Sequence, residues 1–300
     1  MKQGALIAHS ALLTVALIYG ANYLIAKGLM PGLIGPSGFI VLRAIGAVVL
    51  FWAVYASRFE RIRREDLLRL ALCGLFGVTS NQLMFFNGLS MTSPVNASII
   101  MTSNPILVLV VSSVLLKTAI TARKVLGIAL GAAGALILLY LSAGSFNTHI
   151  SWQGDLLVLG NAISYGIYLV LVKPLMMKYR PTTVIAWVFL FGALFVLPIG
   201  WSQVQAIDFS SFTPSNYWAV AYVIIGTTFL AYLLNSFALT RVMPTVVSMY
   251  IYLQPLFAGL FAYVYARYGG EDFTGDLTLG RLLCAALIFT GVYLVSSARS

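Results

Sequence analysis

The chain has 300 residues, of which 60% are hydrophobic and 9% are charged, and its mean hydropathy is +0.95. Soluble domains are about half apolar and about one quarter charged, so this composition excludes an ordinary soluble domain and indicates an integral membrane protein. The formal net charge of +10 does not indicate nucleic-acid binding. The basic residues are spread over short loops, and the densest group, Arg58 to Arg69, is interrupted by Glu60, Glu65 and Asp66.

Apolar stretches of about 20 residues, the length that crosses a bilayer as a helix, follow one another along nearly the whole chain. The sequence predicts an all-α membrane protein with ten spans, at residues 6–29, 37–57, 67–90, 94–117, 122–141, 151–173, 183–201, 215–239, 244–267 and 277–297. The first stretch is too long for a secretory signal and lacks a cleavage site, so we expect it to stay attached. Cys73 and Cys284 fall near opposite faces of the bilayer, so we expect no disulfide between them.

Orientation follows from the basic residues, which concentrate in cytoplasmic loops of membrane proteins. If the N-terminus is cytoplasmic, the inner side receives Lys2, Arg58, Arg61, Arg63, Arg64, Arg69, Lys117, Arg123, Lys124, Lys173, Lys178, Arg180, Arg241 and Arg299. The outer side receives Lys27, Arg267 and Arg281. We therefore expect both termini in the cytoplasm and the protein in the cell (inner) membrane, spanning it several times.

Two parts of the first half of the sequence have counterparts in the second half. PVNASIIMTSNP at 94–105 aligns with PTVVSMYIYLQP at 244–255, and YGANYLIAK at 19–27 aligns with YGIYLVLVK at 165–173. The two pairs occur in the same order, which indicates duplication of a five-span unit. Because five is odd, the second copy enters from the opposite face, so we predict two inverted repeats, residues 1–143 and 144–300, as in many secondary transporters.

The aligned segments each begin with proline and carry a second proline within the apolar run. Pro94 and Pro244 are tolerated at a helix start. Pro105 and Pro255 each remove an interior hydrogen bond about 16 Å along the helix, close to the middle of the bilayer. We predict kinks at these two prolines, with the freed carbonyls facing protein or a wet cavity. The other interpretation is a packing kink, in which neighbouring helices satisfy the freed carbonyls.

Amides, hydroxyls and tyrosines concentrate at mid-depth in spans one, three, four, six, eight and nine. Such groups are costly in hydrocarbon unless they are paired or solvated, so these six helices are expected to surround a cavity. Any single Ser or Thr among them is more simply satisfied by its own backbone. The predicted substrate-binding residues are Asn22, Tyr23, Asn81, Gln82, Ser98, Met101, Thr102, Ser164, Tyr165, Tyr168, Thr228, Tyr232, Ser248 and Tyr252.

Few charged residues lie inside the predicted spans. Asp155 lies about one turn from the outer end of its span, where a structural role at the helix N-terminus is favoured over ion coupling. Gradient-driven facilitation or exchange is therefore the simpler expectation. Arg43 is the one cation expected within the hydrocarbon. Its guanidinium would suit a substrate carboxylate or phosphate. We favour a structural role instead, in which Arg43 snorkels or bonds helix-end carbonyls near the outer interface. Lys27 and Lys173, at the ends of their spans, are expected to be interface anchors.

No catalytic or metal-binding motif is present in the sequence, so we predict no enzyme activity, no cofactor and no metal. Gly127, Gly131 and Gly134 permit close helix approach, within one chain or, as a second interpretation, in a dimer contact. The expected partners are a small-molecule substrate and the lipid bilayer, with no nucleic acid, and the protein is expected to be a monomer or weak homodimer.

Four stretches of the chain carry a family resemblance: YGANYLIAK, the Leu42-Arg43 pair, NGLSMTSPVNASIIMTSNP at 87–105, and the closing segment at 269–295. With these stretches the whole chain resembles the EamA-type family of the drug/metabolite transporter superfamily. One departure is Lys117, which stands where the family usually has Glu. The resemblance implies a ten-helix fold with a central cavity and export or exchange of small metabolites, often amino acids.

The tyrosines and Met101 favour an aromatic or hydrophobic amino acid as substrate, moved by alternating access through the cavity. A nucleotide-sugar or sugar-phosphate carrier is an alternative, although such substrates require several cavity cations. A non-transporting membrane assembly protein is the alternative from another class.

Overall fold

The computed structural model describes residues 2–116, 121–143, 151–239, 241, 250–268 and 278–297. These residues form helices joined by short connections, and they contain no strand. We label the α-helices in chain order as α1 Lys2–Leu29, α2 Pro36–Ser57, α3 Leu67–Gly74, α4 Asn81–Met91, α5 Pro94–Met101, α6 Asn104–Leu116, α7 Ala122–Ala143, α8 Trp152–Lys178, α9 Pro181–Gln205, α10 Pro214–Ala221, α11 Ala231–Leu239, α12 Gln254–Arg267 and α13 Leu279–Ser297. The predicted all-helical class is confirmed for the described residues.

Six helical segments of the described chain are long and apolar enough to cross a membrane, and the count is seven if the bent pair α5–α6 is one span. The six are Leu6–Leu29, Pro36–Ser57, Arg64–Met91, Trp152–Lys178, Pro181–Gln205 and Pro214–Asn235. Proline stands in the first turn of α2, α5, α9 and α10, where its missing N–H removes no intrahelical bond. The protein is therefore a multi-pass membrane protein.

Two of these segments are not regular α-helices throughout. The six residues Leu75–Ser80 form a π-helical stretch between α3 and α4, and Tyr222–Leu230 form another between α10 and α11. A π-helical stretch shifts the hydrogen-bond register and leaves backbone groups for other partners, and it often marks a functional site. One such group is the carbonyl of Phe76, which accepts a hydrogen bond of 2.7 Å from the Ser164 hydroxyl.

The helix that starts at Pro94 is interrupted after Met101. Helix α6 resumes at Asn104 with Pro105 as its second residue, and the axes of α5 and α6 differ by 42°. In the second half of the chain, a 3₁₀ turn at Tyr250–Leu253 leads into α12, in which Pro255 is again the second residue. Both prolines thus stand in the first turn of a new helix, where they remove no interior bond.

The surface and interior have the polarity expected in lipid. Large apolar side chains are exposed around the outside, among them Val49, Leu136, Leu156, Ile225 and Leu282. Polar side chains are buried instead, and the buried set includes Asn22, Arg43, Gln82, Asn96, Asp155, Asn161 and Thr228. This distribution suits a helical assembly whose exterior contacts hydrocarbon, because lipid offers no partner for a polar group.

Glycines allow α7 and α13 to approach each other closely, and the two helices pack together along their lengths. A Cβ atom at Gly291 would lie 2.4 Å from the carbonyl oxygen of Gly127 and 2.6 Å from the amide nitrogen of Gly131. Gly134 faces α13 as well, at Cys284. The glycines of α7 thus pack within the chain, as the first of the two interpretations expected.

Replacing Gly291 with alanine forces α7 and α13 apart, because a new methyl group would occupy space taken by backbone. We expect Gly291→Ala to reduce the stability of the folded protein by about 1–3 kcal/mol, the usual cost of overpacking. The measurement is the apparent melting temperature of detergent-purified protein.

Gly28→Ala is the matched control, because nothing lies within 4 Å of a Cβ atom at Gly28 and alanine favours the helix. An equal melting temperature for both variants would contradict the close packing at Gly291.

Candidate functional site

Side chains of α1, α4, α11 and the Tyr222–Leu230 segment lie around Arg43 of α2. The Arg43 side chain is 8% exposed, and its Nε donates a hydrogen bond to the Thr228 hydroxyl oxygen. Its Cζ lies 5.1 Å from the centre of the Phe86 ring. The guanidinium is close enough to interact electrostatically with the phenols of Tyr19 and Tyr232. Arg43 thus lies at the centre of the helix assembly.

The expectation that Arg43 snorkels to the outer interface or bonds helix-end carbonyls is wrong. Helix α2 packs along α9 and against the Tyr222–Leu230 segment, and Arg43 lies on the face that meets this segment. Burial of a guanidinium away from both interfaces is costly unless hydrogen bonds and counter-charges surround it. In the described chain, Arg43 has one hydrogen-bond acceptor and no carboxylate within 4.0 Å.

Tyr19 and Tyr232 lie near Arg43, and two further tyrosines lie beside them. Tyr19 is near Tyr165, and the rings of Tyr165 and Tyr168 are 5.9 Å apart. Tyr232 also meets the Phe189 ring edge-to-face at 5.4 Å. Tyr19, Tyr165 and Tyr232 keep partial exposure, whereas Tyr168 is buried. These rings combine an apolar face with a hydroxyl, which suits contact with an aromatic or apolar compound that has polar ends.

A second polar group of the predicted set joins α4, α5 and α8. The Asn81 Nδ2 donates to the Asn161 Oδ1 at 3.3 Å and to the Asn161 carbonyl at 3.2 Å. The Asn161 Nδ2 in turn lies 3.5 Å from the Met101 sulfur. These three side chains are therefore brought together, as the sequence predicted for Asn81 and Met101.

Several other predicted residues are satisfied locally. Ser98 donates to the Val95 carbonyl and Thr102 to the Ile99 carbonyl, each at 2.6 Å and within their own helix. Tyr23 is 2% exposed and donates to the Gln254 Oε1 at 3.0 Å, so it joins α1 to α12. The Ser98 and Thr102 bonds match the simpler interpretation of a Ser or Thr satisfied by its own backbone, whereas Tyr23 bonds a residue of another helix.

Two further predicted residues, Asn22 and Gln82, are buried without complete hydrogen bonding. Asn22 is 5% exposed and Gln82 is 4% exposed, and the amide oxygen of each has no partner in the described chain. The cost of an unsatisfied buried acceptor is about 1–3 kcal/mol. Of the remaining predicted residues, Ser248 lies outside the described residues, and the side chain of Tyr252 is also outside the described part.

A separate polar cluster lies where α8 begins. Asp155 is fully buried, and its carboxylate accepts hydrogen bonds of 2.6 Å from the Thr92 hydroxyl and from the Asn96 amide. On the neighbouring helix ends, the Lys27 ammonium donates to the carbonyls of Leu89 and Ser90, at 3.1 and 2.7 Å. Lys27 thus satisfies free carbonyls at the end of α4, a more specific role than the expected interface anchor.

Grooves on the outer surface have a different character from these polar clusters. The crevice between α2 and α9 is lined by apolar side chains such as Ile45, Val49, Leu190 and Leu194. It offers nothing to hold a charged or polar end of a metabolite and suits a lipid chain. In the described part of the chain, no group of three or more His, Cys, Asp or Glu residues is arranged to hold a metal ion.

The sequence profile of the EamA-like transporter family matches residues 6–140 and residues 152–297. The chain belongs to this family. The resemblance noted in the sequence is therefore confirmed.

Individual relatives agree at the level of the family. A protein named "Uncharacterized transporter" from Archaeoglobus fulgidus is 27% identical over 250 residues, which cover 83% of each chain. A "Probable terminal-alkyne amino-acid exporter" from Streptantibioticus cattleyicolor is 26% identical over 166 residues, 55% of this chain and 54% of that protein. One solved crystal structure covers 98% of this chain and 96% of its own, with 20% identity and a TM-score of 0.58, and this likeness shows the fold alone.

Sequence reasoning missed Tyr19 as a member of the site and assigned Arg43 to the interface. The signal for Tyr19 was present, because it precedes Asn22 by one helical turn and so shares a face with it. Nothing in the sequence indicated whether the Arg43 side chain points toward the membrane interface or into the protein. Both directions are compatible with an arginine eight residues into a span.

The Asp155 cluster generates a stability prediction. Asp155→Ala removes two hydrogen bonds to a buried carboxylate and leaves the Thr92 and Asn96 donors without that acceptor. We expect a loss of about 3 kcal/mol or more, because bonds to charged groups contribute about 1.5–3 kcal/mol each. The measurement is thermal unfolding of the purified protein.

Asp155→Asn keeps one acceptor and is expected to lie between the wild type and Asp155→Ala. Asp208→Ala is the surface control, because Asp208 is exposed and its side chain bonds only Ser210 of its own loop in the described chain. A loss at Asp155 no larger than at Asp208 would contradict the structural role of the cluster.

Proposed function

We propose that the protein is a secondary transporter that moves small metabolites, most simply amino acids, across the cell membrane by alternating access. Ten spans cross the bilayer in this proposal, as two inverted five-helix repeats at residues 1–143 and 144–300, with both termini in the cytoplasm. The six long described segments and the bent pair α5–α6 supply seven of the proposed spans. We assign the other three to α7, to the region ending in α12 and to α13.

Helix packing supports the inverted repeats. Segment Arg64–Met91 packs on α8 through α4, and α11, from the corresponding segment of the second half, packs on α1. Likewise α6 packs on α8 while α12 packs on α1, and Leu75–Ser80 packs on α9 while the Tyr222–Leu230 segment packs on α2. These contacts between the halves thus occur in pairs with the halves exchanged, which is the pattern of a pseudo-two-fold arrangement.

Irregular backbone occurs at corresponding positions of the two halves and also supports the duplication. The third span contains the π-helical Leu75–Ser80 and the eighth contains Tyr222–Leu230. Pro105 and Pro255, which the sequence alignment pairs, both occupy the first turn of a helix. Paired breaks near the bilayer midplane are common in transporters, where they provide the backbone groups and hinges of the substrate site.

The observation that carries the proposal is the buried Arg43–tyrosine cluster inside an assembly with an apolar exterior. A charged group and partly exposed phenols at mid-depth are costly in a protein with a structural role alone. They are expected in one that offers a hydrated compartment to a small polar molecule. We infer that Tyr19, Tyr165 and Tyr232 face this compartment, because Tyr19 and Tyr232 lie near Arg43, Tyr165 lies near both of them, and all three keep exposed surface.

An amino acid with an aromatic or hydrophobic side chain fits these groups best. The named function of the Streptantibioticus relative, an amino-acid exporter, favours the same substrate class. A nucleotide-sugar or sugar-phosphate substrate is disfavoured, because Arg43 is the one Lys or Arg that the described contacts connect to the tyrosines. The predicted residues that remain candidates for contact are Asn22, Asn81, Gln82, Met101, Tyr165, Tyr168, Thr228 and Tyr232.

Coupling to protons through Asp155 is not part of the proposal. The carboxylate is fully buried between α8 and α5 and accepts two hydrogen bonds from side chains of the same cluster. Such contacts favour a role in holding helix ends together. Facilitated diffusion or exchange along the substrate gradient is therefore the mechanism that we propose.

Transport by purified protein in liposomes tests the proposal. We expect labelled phenylalanine to enter proteoliposomes faster than protein-free vesicles and to exchange with unlabelled phenylalanine inside. Tyr232→Ala should reduce the rate about tenfold or more, since it removes a ring that meets Arg43 in the site.

Leu230→Ala is the matched control, because Leu230 is in the same helical region but 40% exposed on the outside, and its transport rate is expected to be unchanged. Phenylalanine flux equal to that of empty vesicles, with no other amino acid moved, would refute the proposed function.

A further inference from the structure

Arg43 is a buried cation whose described contacts leave most of its hydrogen-bonding capacity open. A guanidinium has five N–H groups, and in the described chain only the Nε–H has an acceptor, the Thr228 hydroxyl. No described carboxylate lies within 4.0 Å of Arg43. The two terminal nitrogens form a planar fork that matches the two oxygens of a carboxylate. An anionic ligand would therefore offset the cost of burying this charge.

Thr228 and Phe86 fix the direction of the guanidinium. The Thr228 hydroxyl donates to the Val223 carbonyl at 3.1 Å inside the π-helical segment, so its lone pair is free to accept from the Arg43 Nε. The Phe86 ring lies beneath the guanidinium, with 5.1 Å between Cζ and the ring centre. Because Thr228 binds the Nε of Arg43, the two terminal nitrogens of Arg43 are directed away from Thr228. A site held from two sides in this way is ordered before its ligand binds.

Two buried amide oxygens, on the helices α1 and α4 that also carry the Arg43 neighbours Tyr19 and Phe86, have no hydrogen-bond donor in the described chain. They are the Asn22 Oδ1 and the Gln82 Oε1. Asn22 is one helical turn from Tyr19, and Gln82 is one turn from Phe86, and both Tyr19 and Phe86 neighbour Arg43. Each amide thus lies about one turn, or about 5.4 Å, along its helix from a neighbour of Arg43.

The unpaired groups are thus of opposite type. Arg43 supplies donors and positive charge, whereas Asn22 and Gln82 supply acceptors without charge. A carboxylate satisfies the first and an ammonium satisfies the second. We propose that Arg43 binds the carboxylate of the transported compound while the amide oxygens of Asn22 and Gln82 accept hydrogen bonds from its ammonium, so that the site selects free α-amino acids.

This assignment rests on the proposed transport function and makes it more specific. A compound that lacks either charged end leaves one set of buried groups unpaired, and a site built to bond a polar group discriminates strongly against an analogue without it. The side chain of the amino acid then contacts the tyrosines. Amides and esters of amino acids are excluded as good substrates, because they lack the free carboxylate.

Binding to detergent-purified full-length protein tests the assignment, with isothermal titration of three matched compounds. Phenylalanine has both charged ends, phenethylamine lacks the carboxylate, and 3-phenylpropionate lacks the ammonium. For the wild type we expect each analogue to bind at least about tenfold more weakly than phenylalanine, the effect of losing one or more hydrogen bonds.

Variants then assign each end of the ligand. Arg43→Gln is expected to weaken phenylalanine binding at least tenfold and to leave phenethylamine binding unchanged. Gln82→Met, which keeps the length but removes the amide oxygen, is expected to weaken phenylalanine binding and leave 3-phenylpropionate unchanged. Arg281→Gln is the matched control, because Arg281 is also an arginine buried to 6% exposure, but on α13, and phenylalanine binding should be unchanged.

The outcomes separate the two proposals. Phenylalanine binding that is equal in the wild type and Arg43→Gln overturns the carboxylate assignment while the transport function stands. Wild-type protein that binds no amino acid overturns the proposed substrate class together with the assignment. If Arg43→Gln does not fold, the wild type alone still decides, because equal affinity for the three compounds overturns the assignment.

Discussion

The absence of hydrogen-bond partners in a lipid bilayer is the constraint on which the rest of this structure depends. Every polar side chain and every irregular stretch of backbone at mid-depth must be satisfied inside the protein. The chain places Leu, Ile and Val at its surface and buries Asn161, Asp155 and Arg43, but the amide oxygens of Asn22 and Gln82 have no partner in the described chain. The interior therefore contains more polar side chains than helix packing alone requires. A function of the protein has to explain these additional polar side chains.

Irregular backbone and polar side chains occur together. Ser164 bonds the Phe76 carbonyl in one π-helical stretch, and Thr228 of the other holds Arg43. Each π-helical stretch is thus hydrogen-bonded to a residue of the candidate site or contributes one. A change in either π-helical stretch would therefore move a side chain of the candidate site.

Much of the architecture was predictable from the sequence, because apolar runs of membrane length leave few alternatives. The alternation of span and loop, the break near Pro105 and the burial of Asn22, Gln82 and Thr228 follow from composition and position. The roles of single residues did not follow. Ser98 and Thr102 bond their own helix, and Arg43 turns inward where an interface was expected, because each choice depends on neighbouring helices that the local sequence does not specify. The π-helical stretches were missed for the same reason, since LFGVTS and YVIIGTTFL read as ordinary apolar helix.

The central claim is that the tyrosines around Arg43 face a water-filled compartment enclosed by lipid-facing helix surfaces. Single cysteines at Tyr165 and at Ile163 test it most directly, with the buried Cys73 and Cys284 replaced by alanine, because Ile163 is on α8 two residues away and is 47% exposed on the outside. A membrane-impermeant thiol reagent should modify the cysteine at position 165 in intact membranes and should leave position 163 unmodified. Modification at 163 with none at 165 would contradict the account.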